Sequence, residues 1–179
     1  MSANFIVNEK SVISGNVFAD VNHDGDISGQ PIQFDFGTSS SPVQAGYHQV
    51  TSQTTYNSSR GYGWLSGTIT DADNAGKGNA LTEDLNSTDR GIFAVDVPDG
   101  AYNITLWLGD TGNTAHDDVG TYFQSAQVDE WNTMAGQLIT KTYSNIVVTT
   151  QQLQLERRDL GGTNKYGTIE GMVIQRVDD

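Results

Sequence analysis

Apolar and polar residues alternate with a period of two along much of the chain, the pattern of strands with one buried face. Phe93, Val95 and Val97 share one face of such a segment, with Ala94 and Asp96 opposite. Tyr102, Ile104, Leu106 and Leu108 share another, while Asn103, Thr105 and Trp107 point away. Leu153 and Leu155 alternate with Gln152, Gln154 and Glu156. Together with Val/Ile/Thr-rich runs elsewhere, the pattern predicts strands over 11–18, 32–36, 91–97, 102–108, 121–124, 142–148, 152–158 and 167–177. Pro98-Asp99-Gly100 falls between two of these and predicts a hairpin turn. Almost nothing carries the 3.6-residue period of a long amphipathic helix. The fold class that follows is all-β, an antiparallel β-sandwich of the jelly-roll type.

Two stretches break the strand rhythm. Residues 38–60 are rich in Ser, Thr and Gln, and residues 71–90 are polar and acidic. Loops of that length in a compact domain are functional or ordered by metal ions. No unit recurs at a fixed period, which argues against a solenoid. The expected organisation is a linker over 1–10 and a single ligand-binding domain over 11–179. The first residues lack a signal-peptide pattern and no run reaches the apolar length of a membrane span. We therefore expect a monomeric module of a longer polypeptide that does not insert into membranes.

Charge narrows the partners. The formal net charge is −13, with only nine Lys and Arg, so a nucleic-acid partner is not expected. Seventeen of the 22 acids are Asp, a residue of turns, caps and metal loops rather than helix faces. The chain has no cysteine, which removes disulfides, thiolate zinc sites and cysteine nucleophiles. Calcium-stiffened loops are a substitute for disulfides, so the missing cysteines fit an extracellular domain.

The loop Asp20-Val21-Asn22-His23-Asp24-Gly25-Asp26 has the D-x-N-x-D-G-D spacing of the first half of a calcium-binding loop. Asp20, Asn22, Asp24 and Asp26 stand at positions one, three, five and seven, and Gly25 at the sharp turn. Position twelve is Pro31 rather than the bidentate Glu of an EF-hand, so further ligands must come from elsewhere. A second group contains Asp71, Asp73, Asn74, Glu83, Asp84, Asn86 and Asp89 and reads equally well as a solvated acidic loop. A third, residues 109–118, carries Asp110, Asn113, Asp117 and Asp118 at the end of a predicted strand. Adjacent Asp117 and Asp118 repel unless a cation or donors lie between them. Asp159, before Gly161-Gly162, is a further candidate ligand. Several calcium ions are thus the expected cofactors.

Tyr47, Tyr56, Tyr62, Trp64 and Trp107 are candidates for a binding face or for the core. Arg60, Arg90, Arg157 and Arg158 are candidates for pairing with a carboxylate ligand or with local acids. Nothing selects a catalytic set. The histidines are His23, His48 and His116, and neither a G-x-S-x-G elbow nor an H-E-x-x-H is present. An enzyme is not expected.

Phe34-Asp35-Phe36-Gly37, Ala45-Gly46-Tyr47 and Gly61-Tyr62-Gly63-Trp64 form a string that resembles the galactose-binding-like β-sandwich found ahead of rhamnogalacturonan acetylesterases. Asp89-Arg90-Gly91, Leu108-Gly109-Asp110 and Arg158-Asp159-Leu160 continue the resemblance, which covers 32–177. The acetylesterase catalytic motifs are absent. Residues 13–18, leading into the Asp20 loop, resemble repeats of bacterial surface proteins. Size, acidity, missing cysteines and calcium-type loops together resemble the calcium-dependent peptide-binding domain of giant RTX adhesins. That resemblance implies a loop calcium gripping the free C-terminus of a host-cell protein. Its site would be the loop with Asp110, Asp117 and Asp118, flanked by Tyr62, Trp64 and Arg90, with Asp20–Asp26 structural. The alternatives are a carbohydrate-binding module taking a glycan, with aromatic rings stacked on sugars, and a calcium-stiffened spacer with no ligand.

Overall fold

The computed structural model describes residues 30–177. The predicted strand over 11–18 and the Asp20–Asp26 loop lie outside the described residues. Thirteen strands follow one another in the described chain. They are β1 (Ile32–Phe36), β2 (His48–Val50), β3 (Tyr62–Ser66), β4 (Thr70–Asp73), β5 (Asp84–Thr88), β6 (Arg90–Asp96) and β7 (Gly100–Gly109), then β8 (His116–Phe123), β9 (Ala126–Thr133), β10 (Leu138–Val148), β11 (Gln152–Asp159), β12 (Gly167–Ile169) and β13 (Gly171–Arg176). They form a first sheet in the order β10-β7-β13-β1-β2, a second in the order β3-β6-β11-β8-β9, and a small third sheet, β12-β5-β4. Pairing is antiparallel except between β1 and β2. This is an all-β sandwich with no helix among the described residues.

The core is one cluster fed by both large sheets. Phe34 and Phe36 of β1, Ile104, Leu106 and Leu108 of β7, and Met172 and Ile174 of β13 meet Phe93 and Val95 of β6 and Leu153 and Leu155 of β11. Phe93 is its aromatic centre. Its ring lies 5.3 Å from Phe34, 5.0 Å from Phe36 and 5.3 Å from Trp64, mostly edge-on, the geometry that ring quadrupoles favour.

The structure corrects several expectations. Pro98-Asp99-Gly100 does not close a hairpin, because β6 belongs to the second sheet and β7 to the first. Both strands turn an apolar face to the same core from opposite sides, so the chain must cross between sheets there. The acidic stretch 71–90 is not one loop: it contains the end of β4 and all of β5. The strand β5 escapes an apolar pattern because, beside Leu85 at 3%, it buries polar side chains, with Asp84 at 2%, Asn86 at 1% and Thr88 at 1% exposure. Asn86 is satisfied in that position. It accepts from Trp64 Nε1 at 3.3 Å and donates to Gly37 O at 3.0 Å. The predicted strand 167–177 breaks at Glu170, where the chain passes from the third sheet to the first.

Truncating Phe93 removes the ring against which four others pack. Phe93→Ala should cost about 3–5 kcal/mol in urea unfolding monitored by tryptophan fluorescence. A loss below about 1 kcal/mol would show that this cluster does not organise the core.

Candidate functional site

The strand β7 is buried to its end, and its last residue, Gly109, has φ 117°. A Cβ there would lie 2.2 Å from Gln137 O, so glycine is what lets the strand pass under the turn after β9. The next residue, Asp110, organises the loop that follows. Its Oδ1 accepts from Gly112 N at 2.5 Å and from Asn74 Nδ2 at 2.8 Å. The first bond folds the loop back on itself, and the second ties it to the turn after β4.

His116 opens β8 with 3% exposure. Its Nδ1 lies 2.8 Å from Tyr166 O. A carbonyl only accepts, so Nδ1 carries the proton and Nε2 presents a lone pair. Burial holds the imidazole pKa below its ordinary value and keeps it neutral at pH 7. Nε2 has no hydrogen-bond partner among the described residues. Across the β8–β9 ladder His116 pairs with Thr133, whose buried Oγ1 is also unpartnered. These two residues line a groove of about 400 Å³. Residues 115–117 form one wall, residues 132–134 and Gln137 another, and residues 163–164 a third.

Asp117 holds the third wall in place. Its carboxylate accepts from Thr163 N and Thr163 Oγ1, both at 2.8 Å, and from Asn164 N at 2.7 Å. The Thr163 amide, then the Asn164 amide and the Thr163 hydroxyl, keep its pKa below the usual carboxylate value. Two amides and a hydroxyl thus meet the charge of Asp117. Its neighbour Asp118 turns away in a left-handed backbone conformation, φ 49°, within an irregularity of the β8–β9 ladder. The Asp118 amide donates to Asn132 Oδ1 at 2.7 Å and its carbonyl accepts from Leu160 N.

The remaining sequence candidates are dispersed. Asp71 accepts from the Ser52 amide and hydroxyl, and Asp73 is exposed at the end of β4. Asp89 Oδ1 accepts from the Arg90 amide, and Asp159 Oδ1 from the Gly161 amide. Asn113 Oδ1 lies 3.5 Å from Lys77 Nζ. Tyr62 and Trp64 are 9% and 5% exposed and pack in the core, so they present no face to a ligand. Arg90 and Arg158 both pair with Glu156 at 2.7 Å. Arg157 instead lies fully buried over the Trp131 ring, donating to Thr121 Oγ1, and burial pushes its pKa down to about 10. Among the described residues no group of three Asp, Glu or His side chains forms a cluster that could hold a metal ion.

Sequence reasoning passed over His116, Thr133 and Asn164 as groove residues. It named Asp84 as one of an acidic group and Asp35 within a motif, but not the burial of three acids. Asp35, Asp84 and Glu170 are 1%, 2% and 0% exposed. Burial, followed by repulsion from neighbouring acids, raises Glu170 to about 9. Burial also outweighs the Gln44 amide at Asp35, at about 7, and the Ser41 hydroxyl at Asp84, at about 6. A signal existed for Asp35, an acid set between two phenylalanines of a strand.

The family model described as "Beta-agarase/YXIM esterase-like, galactose-binding domain-like" matches residues 32–166, about three quarters of the chain. Beta-agarase A of Zobellia galactanivorans is 26% identical over 159 residues, covering 87% of this chain and 28% of that protein. The solved structure of the YXIM protein of Bacillus subtilis superposes with a TM-score of 0.63 at 26% identity, covering 84% of this chain and 41% of that one. A calcium-binding mutant of beta-glucuronidase 2 from Bacteroides uniformis shares the fold at 13% identity and TM-score 0.61, over 87% of this chain and 19% of that one. The chain thus spans less than half the length of each of these proteins.

Because Asp117 ties residues 163–164 to β8, Asp117→Ala should free that wall. Hydrogen exchange at the Thr163 and Asn164 amides should accelerate at least tenfold while β7 amides keep their protection. The wild-type latch weakens only as pH falls, since a depressed pKa keeps the carboxylate ionised throughout the neutral range. Unchanged exchange in Asp117→Ala would contradict the latch.

Proposed function

We propose, since this chain belongs to the beta-agarase/YXIM esterase-like, galactose-binding domain-like family, that it is a non-catalytic carbohydrate-binding module of a longer extracellular protein. The observation that carries this reading is the groove lined by His116 and Thr133, beneath whose surface His116 Nε2 and Thr133 Oγ1 lie buried and unpartnered. A buried acceptor and a buried hydroxyl are costly when unmatched. A sugar hydroxyl admitted beneath the groove surface would satisfy the first by donating and the second in either sense. The exposed amides of Asn132 and Gln137 add donors and acceptors at the rim. Met134, 72% exposed, and Tyr166, 46% exposed, supply apolar area near the groove for the carbon face of a ring. Apart from Asp117, whose charge is met by Thr163 and Asn164, the lining is uncharged and suits a neutral glycan, and the beta-agarase relative makes an agar-type galactan the first substrate class to try.

The family match supports the galactose-binding-like half of the resemblance drawn from the sequence, not its adhesin half. Capture of a peptide C-terminus through a calcium ion at Asp110, Asp117 and Asp118 would need free carboxylate oxygens. The engagement of Asp117 by Thr163 and Asn164, and of Asp110 by Asn74 and Gly112, favours direct binding of a neutral ligand instead. Calcium at Asp20, Asn22, Asp24 and Asp26 remains a proposal from spacing, with a structural role. Were an ion present there, those oxygens would hold it and it would stiffen the loop.

Calorimetric titration with agaro-oligosaccharides, other neutral and acidic oligosaccharides, and paired free and amidated peptides tests the reading. A neutral glycan should bind, and Thr133→Val, which keeps the shape but not the hydroxyl, should weaken it about 5–30-fold. Binding of a free-carboxylate peptide but not its amide, with no glycan bound, would overturn it in favour of peptide capture.

A further inference from the structure

Glu170 stands where the chain passes from β12 of the third sheet to β13 of the first. Its amide donates to Trp107 O of β7 at 3.0 Å, and its carbonyl accepts from Phe36 N of β1 at 2.8 Å. Those two bonds pin the residue at the seam between sheets. The residue is 0% exposed, and neither carboxyl oxygen has a hydrogen-bond partner. Packing beside it is tight: a Cβ on Gly171 would lie 2.8 Å from Leu81 Cδ1 and 3.2 Å from Trp107 Cε3.

The charged neighbours of this carboxyl all have one sign. Asp110 just after β7, Asp84 at the start of β5 and Asp35 on β1 each disfavour a negative charge on it. The strand β12 brings no titratable side chain. The Thr111 amide favours the charge but makes no hydrogen bond to it. No side-chain cation is paired with it either. The ion pairs among the described residues join Arg90 and Arg158 to Glu156, Lys141 to Asp129, and His116 to Asp110. Buried carboxyls are tolerated when they are paired, bound to a metal or protonated. Among the described residues no group of three acids or histidines could hold a metal ion, so protonation is the state that fits. We propose that the junction around Glu170 is an alkali-sensitive seam, sealed while this carboxyl carries its proton and weakened when the proton leaves.

Burial, then repulsion from Asp110, raises the Glu170 pKa from 4.5 to about 9. Burial is also the main cause at Asp35, raised from 3.8 to about 7, and at Asp84, raised from 3.8 to about 6. The folded chain thus holds protons that the unfolded chain has released. The stability these groups contribute is complete below their unfolded values and is lost as pH rises through the folded ones. Asp84 and Asp35 finish titrating near neutrality, so Glu170 carries most of the loss between pH 7 and pH 9. Asp117 and Asp129, with depressed pKa values, stay ionised across that window and do not contribute. The seam also backs the groove, because β12 follows directly on Tyr166, whose carbonyl bonds His116. The proposal does not rest on the carbohydrate reading.

Urea unfolding of the full chain at pH 7 and pH 9 tests it, beside Glu170→Gln, a mimic of the protonated acid. The wild-type unfolding constant should rise about 10–50-fold between the two, and that of Glu170→Gln at most about threefold. Carboxyl-carbon NMR of the wild-type chain labelled at its five glutamates gives a second readout. One of the five signals should keep its protonated position at pH 7 and move only above it. That readout needs no variant, so it decides even where Glu170→Gln fails to fold. Equal rises in wild type and Glu170→Gln overturn the proposal, as do five carboxyls all ionised by about pH 6.

Discussion

The packing of the inner face of β7 is the constraint to which most of this molecule answers. Tyr102, Ile104, Leu106 and Leu108 are at most 3% exposed and face the second sheet across the sandwich. The same strand pairs with β10 on one side and β13 on the other, so it fixes the register of three strands of the first sheet. Its C-terminal end brings Gly109 against Gln137, a groove residue, and Asp110 near His116. The groove lies beside this end, walled by the start of β8, the end of β9 and the loop before β12. Scaffolds that carry recognition on loops beside rigid strands are the usual arrangement in β-sandwiches.

Around this apolar slab the protein buries an unusual set of polar groups, in two kinds. Asn86 and Asp110 are matched by protein donors and acceptors, and these networks fasten loops to sheets. Glu170, Asp35, Asp84, His116 and Thr133 each leave at least one buried atom unmatched. Such atoms cost stability unless something from outside the fold completes them. Burial answers for the acidic ones by raising their pKa values and favouring the neutral form, while the neutral ones lie beneath the groove. Asp110 stands between the two groups. It adds to the repulsion felt by Glu170 and brings Oδ2 to 3.9 Å from His116 Nε2.

Legibility in the sequence followed the apolar alternation. The strand 32–36 was readable to the residue because Phe34 and Phe36 flank Asp35, and 91–97 and 152–158 differ from β6 and β11 by a residue or so. Where burial is polar, as in β5, period-two reading fails, since Asp84, Asn86 and Thr88 look like a loop. In β9 the phase is broken: Val128 is 40% exposed while Trp131 is 3% exposed, and the β8–β9 ladder shifts register between Thr121 and Tyr122. The loop 109–118 stood out in the sequence from its position after a strong strand, and its residues 115–117 line the groove. Its partners in the groove, Asn132, Thr133 and Thr163, were not, because β8–β9 pairing and the Asp117 latch bring them together only in the fold. The adjacent acids Asp117 and Asp118 resemble a metal pair in sequence, but a change of backbone hand at Asp118 separates their roles.

The central claim is that the groove beside His116 receives a neutral glycan. Amide chemical-shift mapping of the isotope-labelled chain during titration with agaro-oligosaccharides tests it most directly. The account predicts saturable shifts concentrated at residues 115–117, 132–137 and 163–166, with β1 and β6 silent. Shifts confined to another surface would contradict it, as would none at all with a glycan shown to bind.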